Sequence, residues 1–204
     1  MTSTTWRARG GVTVSRQGDG APGPYPDSDD ATLVARARDG DTRAFEALVC
    51  RYQRPVYRMA LRMLGGGADA EDVTQEVFVT AWRQLPGIRE DAAIRTWLYR
   101  AATNRCLNLL RAQRPSRPLE AGAAASADRS PSPEERAETA DALEALRAAL
   151  DQLTPAQRSA WLLRQIEGLS YAEIADILQT TPQAVRGRLS RARAELAEAM
   201  KPWQ

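Results

Sequence analysis

The chain has 204 residues and no histidine. The commonest general base, nucleophile activator and metal ligand is therefore absent. The two cysteines, Cys50 and Cys106, form neither a Cys-x-x-Cys pair nor a zinc-ligand cluster. Both are expected as small buried hydrophobes in a reducing compartment. Asp69, Glu71 and Asp72 are a close trio of carboxylates. A helix N-terminus, where the dipole favours anions, accounts for them better than a metal site does. Gly65-Gly66-Gly67 lacks the lysine of a phosphate loop and reads as a helix stop and turn. Catalysis, a metal, a cofactor and a small-molecule substrate are therefore not expected.

The chemistry on offer is ionic recognition. Between residues 169 and 193 two helix starts follow one another closely. Ser170 and Glu173 spell a capping box, and Ile174, Ala175, Ile177 and Leu178 form an apolar stripe after it. A break falls at Gln179-Thr180. Thr181 is a second N-cap, with Pro182 at the first helical position, where its missing amide is harmless. Val185 and Leu189 then face inward, while Arg186, Arg188, Arg191 and Arg193 face outward in a stretch without acid from 182 to 194. A short helix, a tight turn and a helix with a cationic outer face make the helix-turn-helix pattern that enters a DNA major groove.

A second cationic stripe lies further toward the N-terminus. Residues 92–119 hold no acid, and Arg100, Asn104, Asn108 and Arg111 share one helical face. Cations bind phosphates in a salt-sensitive way, and amides and aromatics contact unpaired bases. Trp97 and Tyr99 supply aromatics beside it, with Trp97 also fitting the core. Before this, Val73, Val77, Ala81 and Leu85 build an inward row, and Asp72, Gln75, Glu76 and Val79 an outward one, bordered by Phe78 and Trp82. From pattern alone this acidic face is either solvated surface or a docking site for a basic partner helix with aromatic anchors.

These faces need helices to carry them, and the whole chain is patterned for helix. The fold class expected is all-α, two small helical domains joined by a flexible linker. Residues 1–27 mix Gly, Pro, Ser, Thr and Arg without periodicity and read as a disordered arm. The first domain spans 28–114, with a cap expected at Asp41, a proline offset at Pro55 and a cap at Asp69. Residues 115–132 form the linker, rich in Pro, Ala, Gly and Ser. The second domain, 133–204, opens at a Ser132 cap and contains a Thr154-x-x-Gln157 capping box. The net charge is only +2, so basic character is local. No apolar run approaches the roughly 20 residues that span a bilayer, and the first residues lack a secretory core, so a cytosolic protein is expected.

The order of these parts resembles the extracytoplasmic-function (ECF) sigma factors of the sigma-70 family. The motifs that carry the likeness are Gly40-Asp41 to Phe45-Glu46, Ala70-Glu-Asp-Val-Thr-Gln-Glu-Val-Phe78, Arg95-Thr-Trp-Leu-Tyr-Arg100 with Asn104, Leu153-Thr-Pro-Ala-Gln-Arg158, and Gly168 to Ala175 through Arg186 to Arg193. The resemblance implies a region 2-like domain at 28–114 and a region 4-like helix-turn-helix domain at 133–204, with the helix-turn-helix at 171–190. It implies an alternative sigma factor that binds core RNA polymerase at the beta-prime clamp helices and the beta flap. On that basis Asp72, Gln75, Glu76, Phe78 and Trp82 form the core-binding surface, which resolves the choice left open above.

It further implies that Arg95, Trp97, Arg100, Asn104, Asn108 and Arg111, with the loop before them, open and read the −10 element. Thr181, Gln183, Arg186, Gly187, Arg188, Ser190, Arg191 and Arg193 would meet the −35 element. An anti-sigma factor is an implied partner, and the implied location is the cytoplasm, with polymerase and nucleoid. The sequence departs from the family at Gln179, where the turn usually has glycine, so a left-handed residue must be accepted at some strain or the turn rearranged. Gln183-Ala184 replaces a common Gly-Thr, and Ile94 a frequent phenylalanine. The alternative is a stand-alone helix-turn-helix regulator that binds duplex DNA without polymerase.

Overall fold

The structure, a computed structural model, describes residues 5–7, 13–15, 25–87, 94–112 and 133–203. Eight α-helices carry the described fold: α1 (Asp30–Arg38), α2 (Thr42–Leu64), α3 (Gly67–Gln84), α4 (Ile94–Ala112), α5 (Pro133–Gln152), α6 (Pro155–Gln165), α7 (Tyr171–Ile177) and α8 (Pro182–Ala199). By internal contacts they separate into two units. One takes in Met1–Leu61 and Ala68–Arg105, the other Arg62–Gly67 and Cys106–Gln204. The expected linker at 115–132, the Ser132 cap and the loop at 88–93 lie outside the described residues.

In the first unit the helix ends follow local chemistry. Asp29 caps α1 by accepting from the Thr32 amide at 2.8 Å. Gly40 (φ +96°) turns the chain, and Asp41 caps α2 through the amides of Arg43 (3.0 Å) and Ala44 (3.3 Å). Helix α2 runs unbroken through Pro55, which supplies no amide to its ladder. Gly65 (φ +75°) ends it. Asp69, expected as a cap, instead sits inside the first turn of α3, because that helix already begins at Gly67. There its charge still meets the positive end of the helix.

The core of this unit is built as the periodicity requires. Val73, Val77, Ala81 and Leu85 are buried, as are Leu33, Val34, Leu48, Val56 and Met59. From α4 come Ile94, Leu98 and Ala102, together with Tyr99 and Thr103; Cys106, where the second unit's part of α4 begins, is buried as expected. Two expectations fail here. Cys50 is exposed rather than buried, since it lies on the outer side of α2. Partial desolvation, with Glu46 nearby, raises its thiol pKa, so the unreactive thiol form is favoured. Tyr99 is buried, so its ring belongs to the core and not to a stacking surface.

Order also starts earlier than expected. Within the arm read as disordered, Thr5–Arg7 (β1) pairs antiparallel with Thr13–Ser15 (β2), Trp6 opposite Val14. β-Branched residues flanking Gly10-Gly11 are a hairpin signal that the overall composition outweighed. Tyr25 (φ +59°) donates its hydroxyl to Asp41 at 3.0 Å, and Arg36 lies 4.4 Å over its ring. Behind it, Asp30 accepts from both Arg51 and Tyr52, while Arg51 also donates to the Ser28 carbonyl at 2.7 Å. The start of α1 is thereby tied to the middle of α2.

In the second unit α5, α6 and α7 all pack against α8. Ala149 and Leu150 of α5, with Leu153 just after it, meet Ala192 and Leu196 of α8, with Leu146 and Trp161 along the edge. The Thr154–Gln157 capping box forms as expected, and Gln157 also donates to Glu195 of α8 at 2.8 Å. Arg158 is buried, where desolvation lowers its pKa and Asp151, at 3.0 Å, opposes that shift. Val185 and Leu189 are fully buried. Leu189→Ala should therefore destabilise the second unit by about 2–5 kcal/mol, measurable by denaturant unfolding; a loss below about 1 kcal/mol would contradict this packing.

Candidate nucleic-acid interface

The helix-turn-helix assembles from local bonds. Ser170 Oγ accepts from the Glu173 amide at 3.2 Å, and Glu173 Oε2 accepts from the Ser170 amide at 2.7 Å, closing the capping box. Arg164 donates to the Leu169 carbonyl at 2.8 Å and lies 5.3 Å over the Tyr171 ring, bracing the entry into α7. Sequence reasoning missed Arg164. Its signal is an arginine four residues before Gly168, the glycine (φ +68°) that ends α6.

At the turn, Gln179 takes φ +49°, the left-handed conformation that glycine usually supplies. The Thr180 amide reaches the Ala175 carbonyl at 2.9 Å, and the Gln179 amide reaches Asp176 at 3.3 Å. This is a Schellman closure with glutamine in the glycine position. The Gln179 side chain adds a 2.7 Å bond to the Asp176 carbonyl, which offsets part of the strain. Thr181 then accepts from the Ala184 amide at 3.1 Å, with Pro182 opening α8.

Because Val185, Leu189, Ala192 and Leu196 face inward, helical geometry places Gln183, Gly187, Ser190 and Arg191 on the opposite ridge. Arg186 and Arg193 flank that ridge on one side and Arg188 on the other. Thr181, Gln183, Arg186, Ser190, Arg191 and Arg193 are exposed; Gly187 and Arg188 are half-buried. A side chain at 187 would meet only the Arg191 guanidinium, at 3.8 and 3.9 Å. No packing inside the protein thus requires the glycine, and its bare backbone faces outward. All eight residues named from the sequence share the outer part of one helix and its cap.

On α4, Asn104, Asn108 and Arg111 are exposed, and Arg95, Trp97 and Arg100 half-buried. Asn108 accepts from Arg111 at 2.9 Å, and Arg95 lies 5.9 Å over the Tyr99 ring. On α3, Asp72, Gln75 and Glu76 form an exposed polar row. The two aromatics named with them do not join it. Phe78 is buried, and Trp82 is half-buried with its ring tilted 60° against Phe45 of α2 at 4.9 Å. Their role in the fold is packing. Sequence reasoning also missed that Glu76 pairs with Arg105 of α4, both side chains about half exposed.

Among the described residues no cluster of His, Cys, Asp and Glu is placed to hold a metal ion, and no helix is long and apolar enough to cross a membrane. The fold and its surfaces define a helical protein with a helix-turn-helix unit, its one described pair of strands confined to the N-terminal residues. The model of Sigma-70 region 2 matches residues 48–116, and that of Sigma-70, region 4, residues 143–196. The RNA polymerase sigma-H factor of Pseudomonas aeruginosa is 38% identical over 183 residues, covering 85% of this chain and 94% of that protein. The ECF RNA polymerase sigma-E factor of Escherichia coli K12 is 36% identical over 182 residues, covering 85% and 95%.

Among solved structures, CnrH in complex with the cytosolic domain of CnrY superimposes with a TM-score of 0.65 at 30% identity, covering 85% of this chain and 97% of that one. The sigma factor RpoE of Bartonella quintana, solved with the anti-sigma factor NepR, has the same fold at a TM-score of 0.65 and 22% identity, covering 77% and 96%. The chain belongs to the extracytoplasmic-function sigma factors of the sigma-70 family. It is an alternative sigma factor, a factor of transcription initiation, and the stand-alone regulator is not favoured.

The strained turn makes its own prediction. Gln179→Gly should stabilise the second unit by roughly 0.5–1 kcal/mol, as the left-handed penalty exceeds the entropic penalty of glycine and the lost side-chain bond. A lowered melting temperature would show instead that the bond to Asp176 dominates.

Proposed function

We propose that this sigma factor binds core RNA polymerase, directs it to −35 and −10 promoter elements and assists melting, with no catalytic chemistry of its own. One observation carries the reading: the outer face of α8 is acid-free from 182 to 194, exposes Arg186, Arg191 and Arg193 and is set by two capped helix starts. Such a face suits the major groove of the −35 element. The ridge of Gln183, Gly187, Ser190 and Arg191 approaches base edges, where arginine reads guanine N7 and O6. Arg186, Arg188 and Arg193, displaced to either side, meet phosphates, and Thr181 meets the backbone at the helix start.

The stripe of Arg100, Asn104, Asn108 and Arg111, with Arg95 and Trp97, engages the −10 element, where a base is taken out of the stack and held. The polar row of Asp72, Gln75 and Glu76 docks on the beta-prime clamp helices. Phe78 and Trp82 support that row from beneath, and the second unit meets the beta flap. The protein acts in the bacterial cytoplasm, with polymerase on the nucleoid, and an anti-sigma factor is a fitting inhibitor, as the Bartonella quintana sigma factor of the same fold is solved with one.

Core polymerase mixed with the chain should transcribe specifically from a cognate promoter, whereas the chain alone should bind duplex weakly. Absence of core binding at low salt would end this reading. On that promoter Arg191→Ala should lose about 1–3 kcal/mol at one base pair and relax specificity there, while Arg186→Ala should weaken all sequences alike. A uniform loss for Arg191→Ala would assign it to phosphate instead.

A further inference from the structure

Most charged residues of the two proposed surfaces on α3 and α4 have a clear allegiance, to one or the other. The pair of Glu76 and Arg105 does not. Glu76 stands in the acidic row of α3, and Arg105 follows Asn104 directly on α4, at the border of the cationic stripe. The Arg105 Nε–H donates to Glu76 Oε2. About half of each side chain faces water, so the pair is solvent-screened, weak and exchangeable.

We propose that Arg105 is a shared residue, holding Glu76 in the free protein and passing to a DNA phosphate once a basic partner takes Glu76. The inference rests on the proposed function above and adds a residue to it. A carboxylate already held by an arginine offers a basic docking helix less charge, so the partner must displace Arg105 to gain the full attraction. The displaced guanidinium is then held only by water and is free to take another anion. It emerges beside Asn104, and the nearest anion supplied during promoter opening is the phosphate backbone held along α4. Polymerase docking and DNA contact are thereby coupled through one side chain. Coupling of this kind is reciprocal, so DNA bound at α4 also releases Glu76 for the polymerase.

The test measures two equilibria with the full chain, core polymerase and a promoter fragment. Arg105→Ala should compete for core roughly two- to five-fold better than wild type, the scale of one exposed ion pair. In a Glu76→Gln background the same substitution should bring no such gain. A gain that persists there reflects general charge removal and overturns the exchange, as does an unchanged or weaker affinity in the single variant. In the holoenzyme, Arg105→Ala should make the salt dependence of promoter binding shallower by about one cation; an unchanged slope overturns the DNA half. A thermal melt matching wild type shows the variants folded. Wild type that fails to bind core would refute the proposed function itself, a result distinct from any failure of the variants.

Discussion

A single apolar row on α8 holds the second unit together. Val185, Leu189, Ala192 and Leu196 are the inward teeth of this helix, and α5, α6 and α7 all pack on it. Burying those residues leaves only one orientation for the rest of the helix. The arginines must face water, because an arginine turned inward would lose its hydration without a partner. Burial and recognition are thus opposite faces of one helix, set by the same rotation. The hydrophobic effect, which has no directional preference of its own, aims the polar chemistry.

The turn before that helix fixes how α8 leaves α7. A left-handed residue is needed to reverse the chain in so short a space, and here glutamine fills the place. The backbone closure is kept intact at Thr180 and Gln179, and the strain is borne by one residue whose side chain finds its own bond. A fold that tolerates a poor residue there shows how strongly the flanking packing determines the turn.

In the first unit the decisive contacts are of another kind. Asp30, Arg51, Tyr52 and Ser28 tie helices through a polar cluster, and Tyr25, Arg36 and Asp41 extend the order toward the N-terminus. Burial, reinforced by the Asp30 contact, pushes the Tyr52 hydroxyl well above its ordinary pKa, so it stays a donor at any physiological pH. On the outer side of the unit, Glu76 and Arg105 join the acidic row to the cationic stripe. The acidic row and the cationic stripe are therefore in electrostatic contact.

Much of this was legible in the residue order, and for a definite reason. Caps, breaks and amphipathic rows act over three to four residues, so Ser170 with Glu173, Thr181 with Pro182, and the row from Val73 to Leu85 declare themselves locally. The helical class, the helix-turn-helix and the outward arginines followed from such signals. What needed the tertiary structure is what depends on residues far apart in the chain. Phe78 and Tyr99 border polar stripes in the sequence, yet both rings are buried in the folded unit; Cys50 resembles a core residue, yet lies outside. The same holds for Arg105 and Glu76, a pair 29 residues apart. Periodicity says which side of a helix is apolar, but only the packing of neighbouring helices decides how wide the covered side is and which charges meet at its edge.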